Sequence, residues 1–190
     1  MRAFTFENAT KIYFGGGCVK EHLLEAVKPY GETVMLAYGG GSIKTNGIYQ
    51  EVMDVLKLAG KQVIEFSGIM PNPTYSKVME GKKVVQENQV DLILAVGGGS
   101  VMDCSKAISM AAATDKDVWE EYWIKKGEID FEPVPVGVIV TVVGTGSEVN
   151  GEGVITHEEQ KIKTSRNYPR CNPVFAMMDP KYTYTVSPLQ

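Results

Sequence analysis

Residues 91–106 read DLILAVGGGSVMDCSK: an apolar run, three glycines and then a helical pattern. The run Leu92–Val96 is long enough for one buried strand, and apolar residues recur at helical spacing after Ser100. Consecutive glycines let a backbone approach a ligand closely, and free N–H groups at a helix start attract phosphate oxygens. The pattern therefore predicts a strand, a glycine turn and a helix. The turn is either a phosphate site or a plain structural turn.

The same design occurs earlier in the chain. Residues 36–43, LAYGGGSI, match residues 94–101, LAVGGGSV, at six of eight positions, and both segments follow an apolar run. Two glycine turns of one design suit a dinucleotide, because its pyrophosphate and its adenosine ribose both have to be held. The alternative is a structural repeat in which a single copy binds.

Composition places the chain among ordinary globular proteins. Its 190 residues are 44% hydrophobic and 22% charged, enough for one sizeable domain or a large α/β unit. A net charge of -4 and the lack of a basic run argue against a nucleic-acid partner. No run approaches the roughly 20 apolar residues of a membrane span. Three widely spaced cysteines and no signal peptide predict a reduced, cytoplasmic protein.

Strand and helix patterns alternate along most of the chain. We expect strands over 33–38, 62–66, 91–96, 135–143 and 174–178, helices over 18–27, 42–59, 74–88, 100–112 and 118–123, and a hairpin over 153–165. Residues 1–14, with Phe4 and Phe6, read as extended: a first hairpin or an edge strand that pairs with another subunit. The alternation predicts an α/β fold, a Rossmann-like, mostly parallel sheet with helices on both faces and ligands at the carboxyl ends of its strands.

The second glycine turn is the stronger phosphate candidate. Gly97, Gly98, Gly99 and Ser100 are predicted to hold the pyrophosphate. One and two helical turns later, Asp103 is placed to meet a cofactor amide or a substrate hydroxyl, and Lys106 to offset phosphate charge. The alternative for both is an exposed ion pair at near-helical spacing.

The first glycine turn is predicted to hold the adenosine ribose, through Gly39, Gly40, Gly41 and Ser42. Strict use of NAD usually needs a carboxylate on the ribose 2′-hydroxyl, and none lies between Tyr38 and Asn46. Ser42 and Lys44 instead offer donors and a positive charge for a 2′-phosphate. The sequence therefore favours NADP, and NAD stays open if Lys44 is only a solvated helix residue.

A third turn follows the predicted strand over 135–143. Its hydroxyl-bearing residues, Thr141 and Thr145 among them, are candidates for contacts with adenine or nicotinamide. The two histidines, His22 and His157, have no metal-ligand spacing, and no nucleophile and base pair stands out. The residues thus predict a dinucleotide binder with no metal ligands and no complete catalytic apparatus.

Several motifs together carry a family resemblance. They occupy 4–15, 38–44, 71–73, 95–106, 144–150 and 178–185. With them the whole chain resembles the iron-dependent (group III) alcohol dehydrogenases, in particular the branch of butanol dehydrogenases and NADPH aldehyde reductases. The resemblance implies the dehydroquinate synthase-like amino-terminal domain of that family, with residues 1–190 forming one dinucleotide-binding domain.

The resemblance also implies cofactor contacts. These carry over onto Gly39, Gly40, Gly41, Ser42, Pro71, Gly97, Gly98, Gly99, Ser100, Asp103, Thr141, Thr145, Asn150, Lys163, Tyr182 and Val186. Asn150 and Lys163 would lie nearer the nicotinamide ribose, and Asp103 nearest the reacting end.

Members of this family use Fe²⁺ or Zn²⁺ with NAD(P)H to interconvert alcohols and aldehydes, here expected to be short-chain primary ones. The family's metal ligands, one Asp and three His, lie in a helical domain that would begin beyond Gln190. We therefore expect the amino-terminal half of such an enzyme, with little or no turnover alone and a tendency to form homo-oligomers.

Two alternative readings remain. One is a non-catalytic dinucleotide-binding module or inactive fragment. The other is an enzyme of the dehydroquinate synthase or glycerol dehydrogenase kind, against which the motifs at 38–44 and 178–185 favour the dehydrogenase.

Overall fold

The computed structural model describes Ala3, residues 8–184 and Val186. Over this part of the chain the strands are β1 (Lys11–Phe14), β2 (Thr33–Tyr38), β3 (Gln62–Phe66), β4 (Leu92–Gly97), β5 (Val136–Val140), β6 (Glu152–His157), β7 (Ile162–Asn167) and β8 (Phe175–Met178). The α-helices are α1 (Cys18–Val27), α2 (Ser42–Thr45), α3 (Ile48–Leu58), α4 (Tyr75–Glu87) and α5 (Gly99–Ala112).

Six strands form one parallel sheet in the order β1-β8-β5-β4-β2-β3. The other two, β6 and β7, form an antiparallel hairpin. The predicted α/β fold is therefore confirmed. The long apolar runs of the central strands follow from this arrangement, because a parallel sheet is covered on both faces.

Helices cover both faces of the sheet, and each face has its own apolar core. One core joins α1 and α3 to Val34 and Leu36 of β2. The other joins α4 and α5 to Met35 and Ala37 of the same strand. The alternation along β2 is the period of two that directs successive side chains to opposite faces.

The direction in which the chain crosses the sheet reverses between β2 and β4. These strands are neighbours, with Tyr38 opposite Val96. The chain leaves β2 toward the helices of one face and leaves β4 toward α5 on the other face. A crevice at the carboxyl ends of the strands is expected at such a point, and it is where open α/β sheets bind ligands.

The helix predicted over 42–59 is wrong as a single element, because it divides into α2 and α3. The chain breaks at Asn46 and Gly47, and Gly47 has a left-handed φ of 85° that interrupts helical hydrogen bonding. Two further elements differ from the prediction: the strand predicted over 135–143 ends at Val140, and the helix predicted over 118–123 is a π-helical segment, Trp119–Ile124.

Strand β1 lies at an edge of the sheet, parallel to β8, which agrees with the predicted edge strand. Its pairing with another subunit stays a prediction. The predicted extended conformation at Phe4 and Phe6 falls outside the described residues. Within the described part of the chain, no helix has the length and apolar character needed to cross a membrane.

Candidate dinucleotide-binding site

Three turns meet at the carboxyl ends of β2, β4 and β5. Gly39, after β2, lies so near the start of α5 that an added Cβ would be 3.9 Å from Val101 Cγ2. The Thr141 N–H, after β5, donates a 3.0 Å hydrogen bond to the Gly97 carbonyl. The structure thus brings together the glycine and threonine residues that the sequence predicted separately.

The turn after β4 is closely packed, so an added side chain would displace its neighbours. An added Cβ would lie 2.6 Å from Val101 Cγ2 at Gly97, 3.1 Å from Val142 Cβ at Gly98 and 2.7 Å from Thr145 Cγ2 at Gly99. Helix α5 begins at this turn and runs for 14 residues. The Val101 N–H donates to the Gly98 carbonyl at 3.0 Å, so the earlier N–H groups, of Gly99 and Ser100, are the donors that the helix start leaves free. Bare backbone and free donors together make this turn suitable for a pyrophosphate.

The turn after β2 opens onto a cleft of about 280 Å³, lined by Tyr38, Gly39, Gly40, Gly41, Lys44, Ser67 and Gly68. The Gly68 N–H donates to the Gly39 carbonyl at 3.0 Å, which joins the end of β3 to this wall. Gly41 has a left-handed φ of 104°, which only glycine adopts without strain. Ser42 is exposed beside it. The cleft lies where the sequence predicted the adenosine ribose.

A carboxylate that the sequence reasoning missed stands at this cleft. Glu65 of β3 accepts hydrogen bonds from the Tyr38 hydroxyl (2.5 Å), the Tyr49 hydroxyl (2.7 Å) and the Lys44 ammonium (2.9 Å). These donors, Tyr38 first, lower the pKa of the Glu65 carboxyl to about 2. The contacts of Lys44 with Tyr38 and Glu65 raise the pKa of its amine above the usual range.

Glu65 weakens the argument for NADP, which depended on the absence of a carboxylate near the ribose. The preference for NADP rests on the segment between Tyr38 and Asn46, which contains no carboxylate. The folded chain supplies one from the next strand, about 20 residues further on, as dinucleotide-binding folds often do. That spacing was the signal that could have found it. The preference for NADP stays a prediction, with Lys44 already paired to Glu65.

A second polar cluster lies beneath the turn after β5. The Lys106 side chain is 1% exposed and donates to four acceptors: Ser147 Oγ at 2.7 Å, the Ser147 and Asn150 carbonyls at 3.0 Å, and Asn150 Oδ1 at 3.3 Å. Burial lowers the pKa of Lys106 to about 8. The alternative of an exposed ion pair with Asp103 is wrong, because the Lys106 ammonium is buried and bound to these acceptors. Its role in offsetting phosphate charge stays a prediction.

Asp103 belongs to the same cluster. Its Oδ1 accepts from the Ser147 hydroxyl at 2.5 Å, and its Oδ2 accepts from the Val154 N–H at 3.1 Å. The side chain is only 13% exposed, and burial raises the pKa of its carboxyl. Asp103 therefore anchors both the turn after β5 and the hairpin to α5. A contact of Asp103 with the reacting end stays a prediction.

Two other predicted contacts, Pro71 on a loop and Lys163 on β7, lie side by side. The Lys163 ammonium, on β7, donates to Asn72 Oδ1 at 2.5 Å, which places it next to Pro71. The Thr156 N–H of β6 donates to the Pro73 carbonyl at 2.9 Å. These bonds hold the hairpin against the loop before α4.

The last two predicted contacts are not joined to the turns by any hydrogen bond described here. Tyr182 is 8% exposed and packs in the core shared with α1 and α3. The Val186 N–H donates to the Thr183 carbonyl at 3.0 Å. Their roles toward a cofactor stay predictions.

The residues described do not fit the metal that the family resemblance implies. Across Ala3, 8–184 and Val186, no group of three or more His, Cys, Asp or Glu side chains is placed to hold an ion. No catalytic step is therefore assigned to a metal in this chain.

Comparison with known proteins agrees with this geometry. The "Probable NADH-dependent butanol dehydrogenase 1" of Bacillus subtilis is 45% identical over 186 residues, covering 98% of this chain and 47% of that protein. The "NADPH-dependent aldehyde reductase YqhD" of Escherichia coli is 39% identical over 191 residues, covering all of this chain and 48% of that protein. The chain thus spans about half the length of the curated relatives it matches.

Solved structures show the same likeness. The NADH-dependent butanol dehydrogenase A of Thermotoga maritima superposes with a TM-score of 0.90 at 38% identity, covering 98% of this chain and 46% of that chain. The structure of YqhD from E. coli K-12 also has a TM-score of 0.90, at 39% identity. The sequence profile of the iron-containing alcohol dehydrogenases matches residues 9–180. This chain therefore belongs to the family of iron-containing alcohol dehydrogenases.

Proposed function

We propose that this chain binds a nicotinamide dinucleotide and forms the cofactor-binding part of a metal-dependent alcohol dehydrogenase or aldehyde reductase. The observation that carries the proposal is the meeting of three turns, at Gly39–Gly41, Gly97–Gly99 and 141–145, where the sheet reverses its order. The proposal is also supported by the relatives, one of which is named as NADH-dependent and another as NADPH-dependent.

The parts of the cofactor are assigned by the chemistry of the turns. Gly97–Ser100 and the first N–H groups of α5 hold the pyrophosphate, since they offer bare backbone donors. The cleft after β2, with Gly39–Ser42 and Lys44, holds the adenosine ribose. Thr141, Thr145, Asn150 and Lys163 complete the nicotinamide side.

When bound, the nicotinamide donates or accepts the hydride of the reaction. The chain's own residues bind and orient it. Lys106 and Asp103 hold the 147–150 segment against α5, which keeps Asn150 in place. The substrate, a short-chain primary alcohol or aldehyde, and the Fe²⁺ or Zn²⁺ that would polarise its oxygen belong to the complete enzyme as we propose it.

Calorimetric titration of the purified chain with NADH and with NADPH tests the proposal. We expect saturable binding of at least one nucleotide at one site. The variant Gly40→Val is the matched control for the cleft: an added Cβ meets no atom within 4 Å, so the fold should persist while the side chain obstructs the ribose. A chain that is folded by circular dichroism and binds neither nucleotide would contradict the proposal.

Self-association is a separate proposal about the same chain. Phe14, Val143 and Tyr184 are large apolar side chains that are 73%, 59% and 78% exposed. Exposed apolar surface of this kind favours contacts between molecules. Light scattering over a range of concentrations should show a mass above that of one chain, and a constant single-chain mass would refute it.

A further inference from the structure

Resting on the dinucleotide site proposed above, a further inference concerns the choice between NADH and NADPH. The two differ only at the adenosine ribose, where NADPH carries a 2′-phosphate in place of a hydroxyl. In this structure the residue offered to a 2′-phosphate is Lys44, and its ammonium already has a carboxylate partner. The affinity for a 2′-phosphate therefore depends on how firmly Glu65 binds the Lys44 ammonium.

The bonds to Glu65 come from three separate elements of the fold. Tyr38 ends β2, Lys44 lies on α2 and Tyr49 lies on α3, and each donates to the same carboxylate at 2.5–2.9 Å. The Lys44 ammonium also lies over two aromatic rings, 4.5 Å from the centre of Tyr49 and 5.3 Å from that of Tyr38. A cation held by a carboxylate and by aromatic faces has little freedom to turn to another anion.

Glu65 lies beside the cleft, where its carboxylate is 2.9 Å from the ammonium of Lys44, a residue of the lining. Glu65 is followed after Phe66 by Ser67 and Gly68, which line the cleft together with Lys44. An anion placed at Lys44 would therefore lie near the negative charge of Glu65 as well. The phosphate and the Glu65 carboxylate would repel each other. Water moderates this repulsion, because the side chains of Lys44 and Glu65 are partly exposed, at 46% and 41%.

We propose that Glu65 is the residue that sets the nucleotide preference of this cleft: its carboxylate neutralises Lys44 and repels a 2′-phosphate, so it lowers the affinity for NADPH relative to NADH. A ribose with a 2′-hydroxyl is unaffected by the repulsion. A free hydroxyl can also accept from Lys44 or donate to the carboxylate, so the same pair suits NADH.

The variant Glu65→Gln tests this inference. Glutamine keeps the shape and an acceptor for the tyrosine hydroxyls but removes the charge, so Lys44 becomes available to a phosphate. We expect the ratio of NADPH affinity to NADH affinity, measured by calorimetric titration, to rise by about three- to tenfold at low salt and to fall back as salt is added. An unchanged or lowered ratio would overturn the inference.

Two further variants separate charge from hydrogen bonding. Tyr49→Phe removes one donor to Glu65 but leaves the carboxylate charged, so the ratio should stay within about twofold of the wild type. Lys44→Met removes the cation and leaves the carboxylate, so the ratio should fall. A rise with Tyr49→Phe as large as with Glu65→Gln, or a rise with Lys44→Met, would refute a charge effect of Glu65.

The readout also distinguishes the two proposals. If the wild type binds neither nucleotide, the proposed function fails and this inference fails with it. If the wild type binds and the ratio does not respond to Glu65→Gln, the inference alone fails.

Discussion

Replacing Lys106 by methionine should destabilise this protein more than any other single loss of charge at the site. The ammonium is 1% exposed, and its three N–H groups are shared among four acceptor atoms of Ser147 and Asn150. It also lies 3.8 Å from Asp103, whose carboxylate is almost as deeply buried. At pH 7 Lys106 is still mainly charged, since its pKa is about 8.

The size of the effect follows from what the variant leaves behind. Methionine fills most of the space of the lysine stem, so the cavity is small. The buried Asp103 carboxylate loses its cation, and removal of one partner of a buried pair costs about 3–5 kcal/mol. Since whole domains are stable by only about 5–15 kcal/mol, Lys106→Met should lose a large part of the free energy of unfolding.

Urea-induced unfolding followed by circular dichroism measures this loss, and Lys77→Met is its matched control. Lys77 is also a buried lysine on a neighbouring helix, 9% exposed. Its carboxylate partner, Glu80, is 59% exposed, so the pair is worth only about 0–1 kcal/mol. A loss below about 1 kcal/mol for Lys106→Met, or equal losses for the two variants, would refute the assigned role of Lys106.

Two further predictions concern acid pH and the glycines. The pKa of Glu65 is about 2 in the folded chain against an ordinary 4.5, so its contribution to stability is present above pH 4.5 and is lost as pH falls toward 2. Over that window, lowering the pH should reduce the free energy of unfolding of the wild type more than that of Glu65→Gln. Equal reductions in the two proteins, measured by urea unfolding at each pH, would contradict this. Among glycines, Gly151→Ala should be the most destabilising, because the new Cβ would lie 1.8 Å from a backbone carbonyl oxygen. Gly99→Ala, which meets the movable Thr145 side chain, should cost about 1–3 kcal/mol, and Gly40→Ala, with open space, should stay within about 0.5 kcal/mol of the wild type in urea unfolding. Any other order would show that the described packing does not govern these positions.

Much of the architecture follows from local pattern. The apolar runs that become β2 and β4, and the glycines directly after them, were recognisable because a strand and its turn involve only neighbouring residues. The parallel sheet then follows from the alternation of strand and helix. The break between α2 and α3 was missed because Gly47 lies inside an otherwise helical pattern, where a single glycine is often tolerated.

The pairing of charged groups could not be predicted in the same way. Lys106 binds Ser147 and Asn150, some 40 residues away along the chain, and neither was predicted as its partner. Glu65 is absent from the predicted site residues, and it binds Lys44 of α2 from strand β3. Whether a residue lies in a helix or in a strand depends mainly on its neighbours in the chain, so the amino-acid sequence is sufficient to predict it. The partner of a buried charge depends on which segments the folded sheet sets side by side, because a carboxylate and an ammonium interact through space at a few ångströms, whatever their separation in sequence.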